Sequence, residues 1–176
     1  MTELIPTPEV VSTPDRVVLV PGALALLPAY AAQRDPLGAL RTAALTAVTA
    51  LPAEVDVIAT PQGARVAEHL LAATAGARRG AGRGLLVVGN GSAKRTEKAP
   101  GHLDERAHAF DDAVRAWLHG DGEAPEAGLG EELWAEVDPL LAAAKLVSWA
   151  PARVAYDDDP YGVQYWVMTW DGLSPR

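Results

Sequence analysis

GLLVVGNGSAKRTEKAPG, residues 84–101, decides the fold. An apolar, β-branched run closed by glycine reads as a buried strand. The loop behind it is glycine-rich and holds two of the chain's three lysines, Lys94 and Lys98, beside Arg95. Working outward, DRVVLVP (15–21) and EVDVIAT (54–60) read as two more strands. Between them, Asp35 and Pro36 start a helix whose apolar positions are Leu37, Leu40, Ala44, Val48 and Leu51. Thr60 and Pro61 repeat that start, with Val66, Leu70 and Leu71 as the stripe, and ARRGAGRG (77–84) ends the second helix. Strand, helix, strand, helix, strand predicts an α/β fold with a mostly parallel central sheet and helices on both faces.

Beyond residue 101, Leu103, Ala107, Phe110, Val114, Trp117 and Leu118 mark an amphipathic helix starting near Asp104. HGDGEAPEAGLGEE (119–132) reads as a mobile acidic loop. Leu133, Val137, Leu140, Leu141 and Ala144 mark a further helix over 131–145. ARVAY (152–156), the turn DDDPYG and VQYWVMTW (163–170) predict a closing C-terminal strand pair. Its strands either pair with each other or flank the central sheet. Residues 1–14, with three prolines, read as an extended arm before a single domain over 15–172.

Composition narrows the function classes. The chain has 176 residues, 49% of them hydrophobic and 22% charged, with a net charge of -8. Such a length suits one domain that buries roughly 70% of its unfolded surface. The acidic balance argues against nucleic-acid binding, which needs a basic face. Cysteine is absent, which excludes disulfides, thiolate catalysis and cysteine-ligated zinc. Neither a secretory signal nor a membrane-spanning stretch is legible, so a cytoplasmic protein is expected.

Ligands of α/β sheets bind outside the carboxyl ends of the strands, where the 89–101 loop lies. Gly89 and Gly91 let a ligand approach the backbone, and Asn90 and Ser92 offer polar groups. Lys94, Arg95 and Lys98 supply positive charge, and a tyrosine such as Tyr161 is placed to line the same cleft. The expected partner is an anionic small molecule, although a P-loop is absent. The competing reading is a solvated loop whose cations pair with Glu97, Asp104 and Glu105. Asp157, Asp158 and Asp159 read as a turn before Pro160 that neutralises the loop's lysines if it folds back onto it, or as an oxygen-ligand cation site.

GNGSAKRTEKAPGHLDERAHAFDDAV (89–114) and DPYGVQYWVMTW (159–170) resemble an actinobacterial group similar to class III extradiol ring-cleavage dioxygenases, the LigB-like, subunit-B-like family. The resemblance spans about 85–118 and 154–170 and is weak before residue 80. It implies an α/β fold with its site at the strand ends, and Fe(II) held by two histidines and one carboxylate. Where the family has a Pro-His pair after the first strand, this chain has Pro21-Gly22. Where the family has an acid–base histidine in the glycine-rich loop, it has Arg95, which neither binds iron nor accepts a proton. Glu136 and Asp138 are candidates for the carboxylate, without a matching motif. Of the histidines, His69 reads as a surface residue and His102 as a cap. His108 and His119 lie roughly 16 Å apart on one helix, too far for one ion. The expectation is a catalytically degenerate domain without a cofactor: no catalytic residues, no metal ligands, and a cationic cleft for an anion. The alternatives are a scaffold protein that dimerises through exposed aromatic closing strands, and a metal enzyme with other ligands.

Overall fold

The computed structural model describes residues 13–30 and 36–176. Asp35 and nearly all of the expected N-terminal arm lie outside the described residues. Five strands form one mixed sheet: β1 (Arg16–Val20), β2 (Glu54–Ile58), β3 (Arg83–Val88), β4 (Arg153–Asp158) and β5 (Tyr165–Asp171). Their order is β2-β3-β1-β5-β4. The three strands read from the apolar runs pair in parallel, Val17 facing Leu85 and Val57 facing Leu86. The closing strands pair antiparallel with each other, and β5 also pairs antiparallel with β1, so both arrangements left open by the sequence occur together.

Alternation along the strands divides the core in two. Val18, Val20, Leu86 and Val88 pack against α1 (Gly38–Thr49) and α2 (Pro61–Thr74). Val17, Leu19, Leu85, Val87, Trp166 and Met168 face α3 (Ala107–Leu118), α4 (Ala127–Glu132) and α5 (Asp138–Ala143). Helices therefore cover both faces. The chain leaving β1 turns to the α1 face, and the chain leaving the adjacent β3 turns to the α3 face. A crevice opens where two such neighbours diverge, at their carboxyl ends. No helix among the described residues is long and apolar enough to cross a membrane.

Local chemistry explains the boundaries. α2 starts as expected, with the Thr60 hydroxyl accepting from the Gly63 amide at 3.0 Å ahead of Pro61. α3 starts at Ala107 instead of near Asp104. The reason is that Asp104 closes a preceding turn, its carbonyl accepting from the Ala107 amide and its carboxylate from the Arg106 amide. The helix expected over 131–145 is two short helices, and the first reaches into the segment expected to be loop, 119–132. Pro139 has no amide hydrogen to continue an incoming helix. α4 ends in a Schellman arrangement: the amides of Ala135 and Trp134 donate to the carbonyls of Gly130 and Glu131. Trp134 takes the left-handed position, φ 57°, that glycine usually fills.

The closing strands bury their tryptophans. Trp166 and Trp170 are in the core, and the Trp170 indole donates to the Ala150 carbonyl at 2.9 Å. Exposed aromatic strands, expected as a dimer surface, are therefore not what β5 presents. The outer edge, β4, carries Arg153, Asp157 and Asp158 and a register shift between Val154 and Tyr156, features that blunt an open edge.

Leu19 is fully buried in β1, the central strand of the five, whereas Val154 on the edge strand β4 is exposed. Leu19→Ala is expected to lose about 2–5 kcal/mol in urea unfolding. Val154→Ala is expected to stay within about 0.5 kcal/mol of the parent. Equal losses would contradict the placement of the core.

Candidate functional site

The crevice between the ends of β1 and β3 is filled by one side chain, Glu136, from the segment joining α4 to α5. Its amide donates to the Asn90 carbonyl at 3.0 Å. A Cβ on Gly89 would stand 2.5 Å from the Glu136 carbonyl oxygen, so only glycine permits this approach. A Cβ on Gly22 would stand 2.2 Å from Glu136 Oε2. The Thr60 hydroxyl donates to Oε1 at 2.9 Å while also capping α2. Three strand ends thus meet on one residue, β3 at its backbone and β1 and β2 at its carboxyl group.

The surrounding groups are polar and neutral. The Gln62 side-chain amide donates to the Gly22 carbonyl at 3.1 Å, and the Gly22 amide donates to Asn90 Oδ1 at 3.3 Å. Past Val20 the chain beside the start of β5 is the segment after β3, the Gly91 amide donating to the Gln164 carbonyl and the Gln164 amide to the Ser92 carbonyl, both at 2.9 Å. Among the described residues Glu136 makes no ion pair. Burial pushes its carboxyl up from the usual value of 4.5, and the Thr60 hydrogen bond only partly opposes this. Burial, then the nearby Glu136 and Tyr156, push the Tyr165 hydroxyl up to about 12. Tyr165 is therefore a hydrogen-bond donor at every physiological pH.

The residues singled out in the 89–101 loop do something different. Ser92 is fully buried, and its amide and hydroxyl donate to Asp111 at 2.8 and 2.7 Å. Arg95 donates to Asp111 from one side at 2.9 Å and to Asp159 from the other at 2.8 Å. Its side chain is 11% exposed and that of Asp111 is 0% exposed. Burial works against the Arg95 charge, but the two carboxylates outweigh it and hold the guanidinium above its ordinary value. Burial likewise pushes the Asp111 carboxyl up, while the Ser92 and Arg95 donors pull against that. Asp111 thus accepts three hydrogen bonds, two from Ser92 and one from Arg95.

Gly91 leaves room for the chain's own groups, since a Cβ there would meet Asp111 Oδ1 at 2.5 Å and Gln164 at 2.7 Å. The Lys94 ammonium lies 5.6 Å from the centre of the Trp134 ring. Lys98 is exposed, and so is Tyr161, whose backbone is left-handed. The aspartate turn does fold back, but it pairs with arginines and not with the lysines expected: Asp159 with Arg95 and Asp157 with Arg115.

The ligand set that iron requires does not fit here. The crevice offers one carboxyl group and no imidazole. His119 Nδ1 accepts from the Ala152 amide and His108 Nε2 lies 3.2 Å from the Arg95 carbonyl oxygen, both away from Glu136. No group of three or more histidine, aspartate or glutamate side chains is placed to hold a metal ion among the described residues. No protein-family model, curated protein or solved structure matches the chain.

Two outcomes follow from this geometry. Arg95→Met leaves Asp111 buried without its cation and is expected to cost about 3–5 kcal/mol. Adding Asp111→Asn should recover part of the loss in a double-mutant cycle, and an additive cycle would contradict the pairing. For Glu136, the folded state binds the proton more tightly than the unfolded state. That contribution is complete below the unfolded value of 4.5 and is lost as pH rises through the higher folded value. Glu136→Gln is therefore expected to melt higher than the parent at neutral pH, with the difference closing as pH falls towards 4.5. A lower melting temperature at neutral pH would contradict it.

Proposed function

We propose that this chain is an extradiol-dioxygenase-like domain that works without iron and binds a small anionic molecule at the strand-end crevice. One observation carries the reading: the carboxyl group of Glu136 stands in the space that a side chain at position 22 would need. The family resemblance puts a histidine ligand at that position, so glycine with Glu136 against it leaves a single oxygen donor in place of a ligand triad.

Support for an anion comes from the crevice more than from the loop cations, because Arg95 is balanced by its own carboxylates. α2 directs its amino end at the crevice, and its first turn holds no acidic residue. Gln62 adds a neutral donor. In this reading the 89–101 loop, locked through Ser92 and Arg95 onto Asp111, is the frame that fixes Asn90 and thereby Glu136. Lys94 and Lys98 supply the remaining positive charge of the loop.

Protein purified under anaerobic conditions and supplied with ferrous iron is expected to retain no stoichiometric metal and to leave catechols uncleaved. Iron at one equivalent per chain, or ring-cleaved product, would overturn the proposal.

A further inference from the structure

The exposed side of α3 is charged on one flank only. Asp112 and Arg115 pair with each other there, and Arg115 reaches on to Asp157 of β4. On the flank towards α4 stand three exposed alanines, Ala109, Ala113 and Ala116, spaced by four and three positions so that they share one line along the helix. A helix face that meets only water usually carries charged or polar residues instead. Gly120 and Gly122 take left-handed backbone, φ 91° and 80°, and turn the chain away from the end of α3 before it returns alongside at 123–129. Between that segment and the alanine line lies a groove of about 520 Å³, with the buried Phe110 at its base and Pro125 and Leu129 on its wall. Glu123 and Glu126 line it as well, both exposed, and neither side chain makes an ion pair or hydrogen bond among the described residues. Arg106, at the other end, is already held by Asp104 and Glu132.

We propose that this groove docks a basic amphipathic helix of a partner protein, its apolar face on the alanine line and its arginine or lysine side chains against Glu123 and Glu126. Alanine has no bulk beyond Cβ, so a second helix can lie against α3 at the short end of the usual interaxial range of about 8–10 Å. From Ala109 to Ala116 the line runs roughly 10 Å, or two helical turns. The surface is a different one from the strand-end crevice, and the inference does not depend on the reading of that crevice.

Charge decides between the occupants. A second copy using the same face would bring its own Glu123 and Glu126 to a rim that is already negative. The chain's N-terminal segment, MTELIPTPEVVS (1–12), carries Glu3 and Glu9 and no lysine or arginine. A basic helix alone answers both the apolar floor and the two unpaired carboxylates. Rim pairs of this kind steer and select more than they tighten, so the affinity comes from the apolar contact and the salt dependence from the glutamates.

The probe is a synthetic helical peptide with a leucine–alanine face flanked by arginines, titrated into the isotope-labelled full chain and followed through its backbone amide signals. Two control peptides carry glutamates in place of the arginines, or the same composition with the apolar face scrambled. The expected result is perturbation centred on Ala113, Ala116 and Gly122, with an affinity that falls at least about fivefold between roughly 50 and 500 mM salt. Ala113→Arg puts bulk and positive charge on the alanine line and is expected to weaken binding at least about tenfold, with an unchanged melting temperature. Glu123→Gln with Glu126→Gln is expected to lose about three- to tenfold and to flatten the salt dependence. Glu54→Gln with Glu68→Gln removes the same charge from exposed positions away from the groove and is expected to leave the affinity unchanged. No perturbation at the groove, equal binding of either control peptide, or equal losses from the two glutamine pairs overturns the proposal. Concentration-dependent shifts of the same amides without peptide would make a second copy the occupant. Shifts of the Leu4 and Ile5 signals in Ala113→Arg without peptide would make it the chain's own N-terminus. Either result overturns the basic partner.

Discussion

Glu136 is held at four points, and the meeting of the sheet's strand ends depends on them. Its amide and carbonyl lie on the Gly89–Asn90 backbone after β3, and its carboxyl lies between Thr60 after β2 and Gly22 after β1. Two glycines at the carboxyl ends of adjacent strands are what make this approach sterically feasible. A side chain at either place would expel the residue and open the crevice.

That arrangement gives the 89–101 loop its meaning. The loop must hold Asn90 in place so that its carbonyl receives Glu136 and its side chain receives the Gly22 amide. It does so by anchoring itself on Asp111, a carboxylate inside the domain that takes two bonds from Ser92 and one from Arg95. Asp159, reaching over from the turn after β4, closes the other side of the guanidinium. The positive charge that draws the eye in the sequence thus ties α3 and the closing strands to the rim of the crevice. A buried ion pair of this kind specifies a geometry more than it adds stability.

The sheet and its helices were legible because each strand is an apolar run with turn residues at its ends, and because Thr60–Pro61 is a local start signal. The break between α4 and α5 was missed, the segment being read as one helix: Pro139 offered a cue that was not used, and the left-handed residue that ends α4 is Trp134, where glycine would have been the signal. Glu136 was named as a candidate only through a family resemblance, for nothing local links it to Gly22, far away in the chain. Its signal is the pair of bare glycines at two strand ends, which leave space that some distant group must fill. Asp111 was readable in principle. It sits on the apolar stripe of α3, four residues after Ala107 and three before Val114, and an acid there demands a buried partner.

The central claim is that a cation-free carboxyl group, and not a metal ligand set, occupies the end of β1. Its most direct measure is the carbon NMR titration of the Glu136 side-chain carboxyl in glutamate-labelled protein, assigned by its disappearance in Glu136→Gln. The account predicts a midpoint clearly above the ordinary 4.5, unchanged when ferrous iron is added. A carboxyl that titrates at or below that value, or whose signal is broadened away by one equivalent of iron, would contradict it.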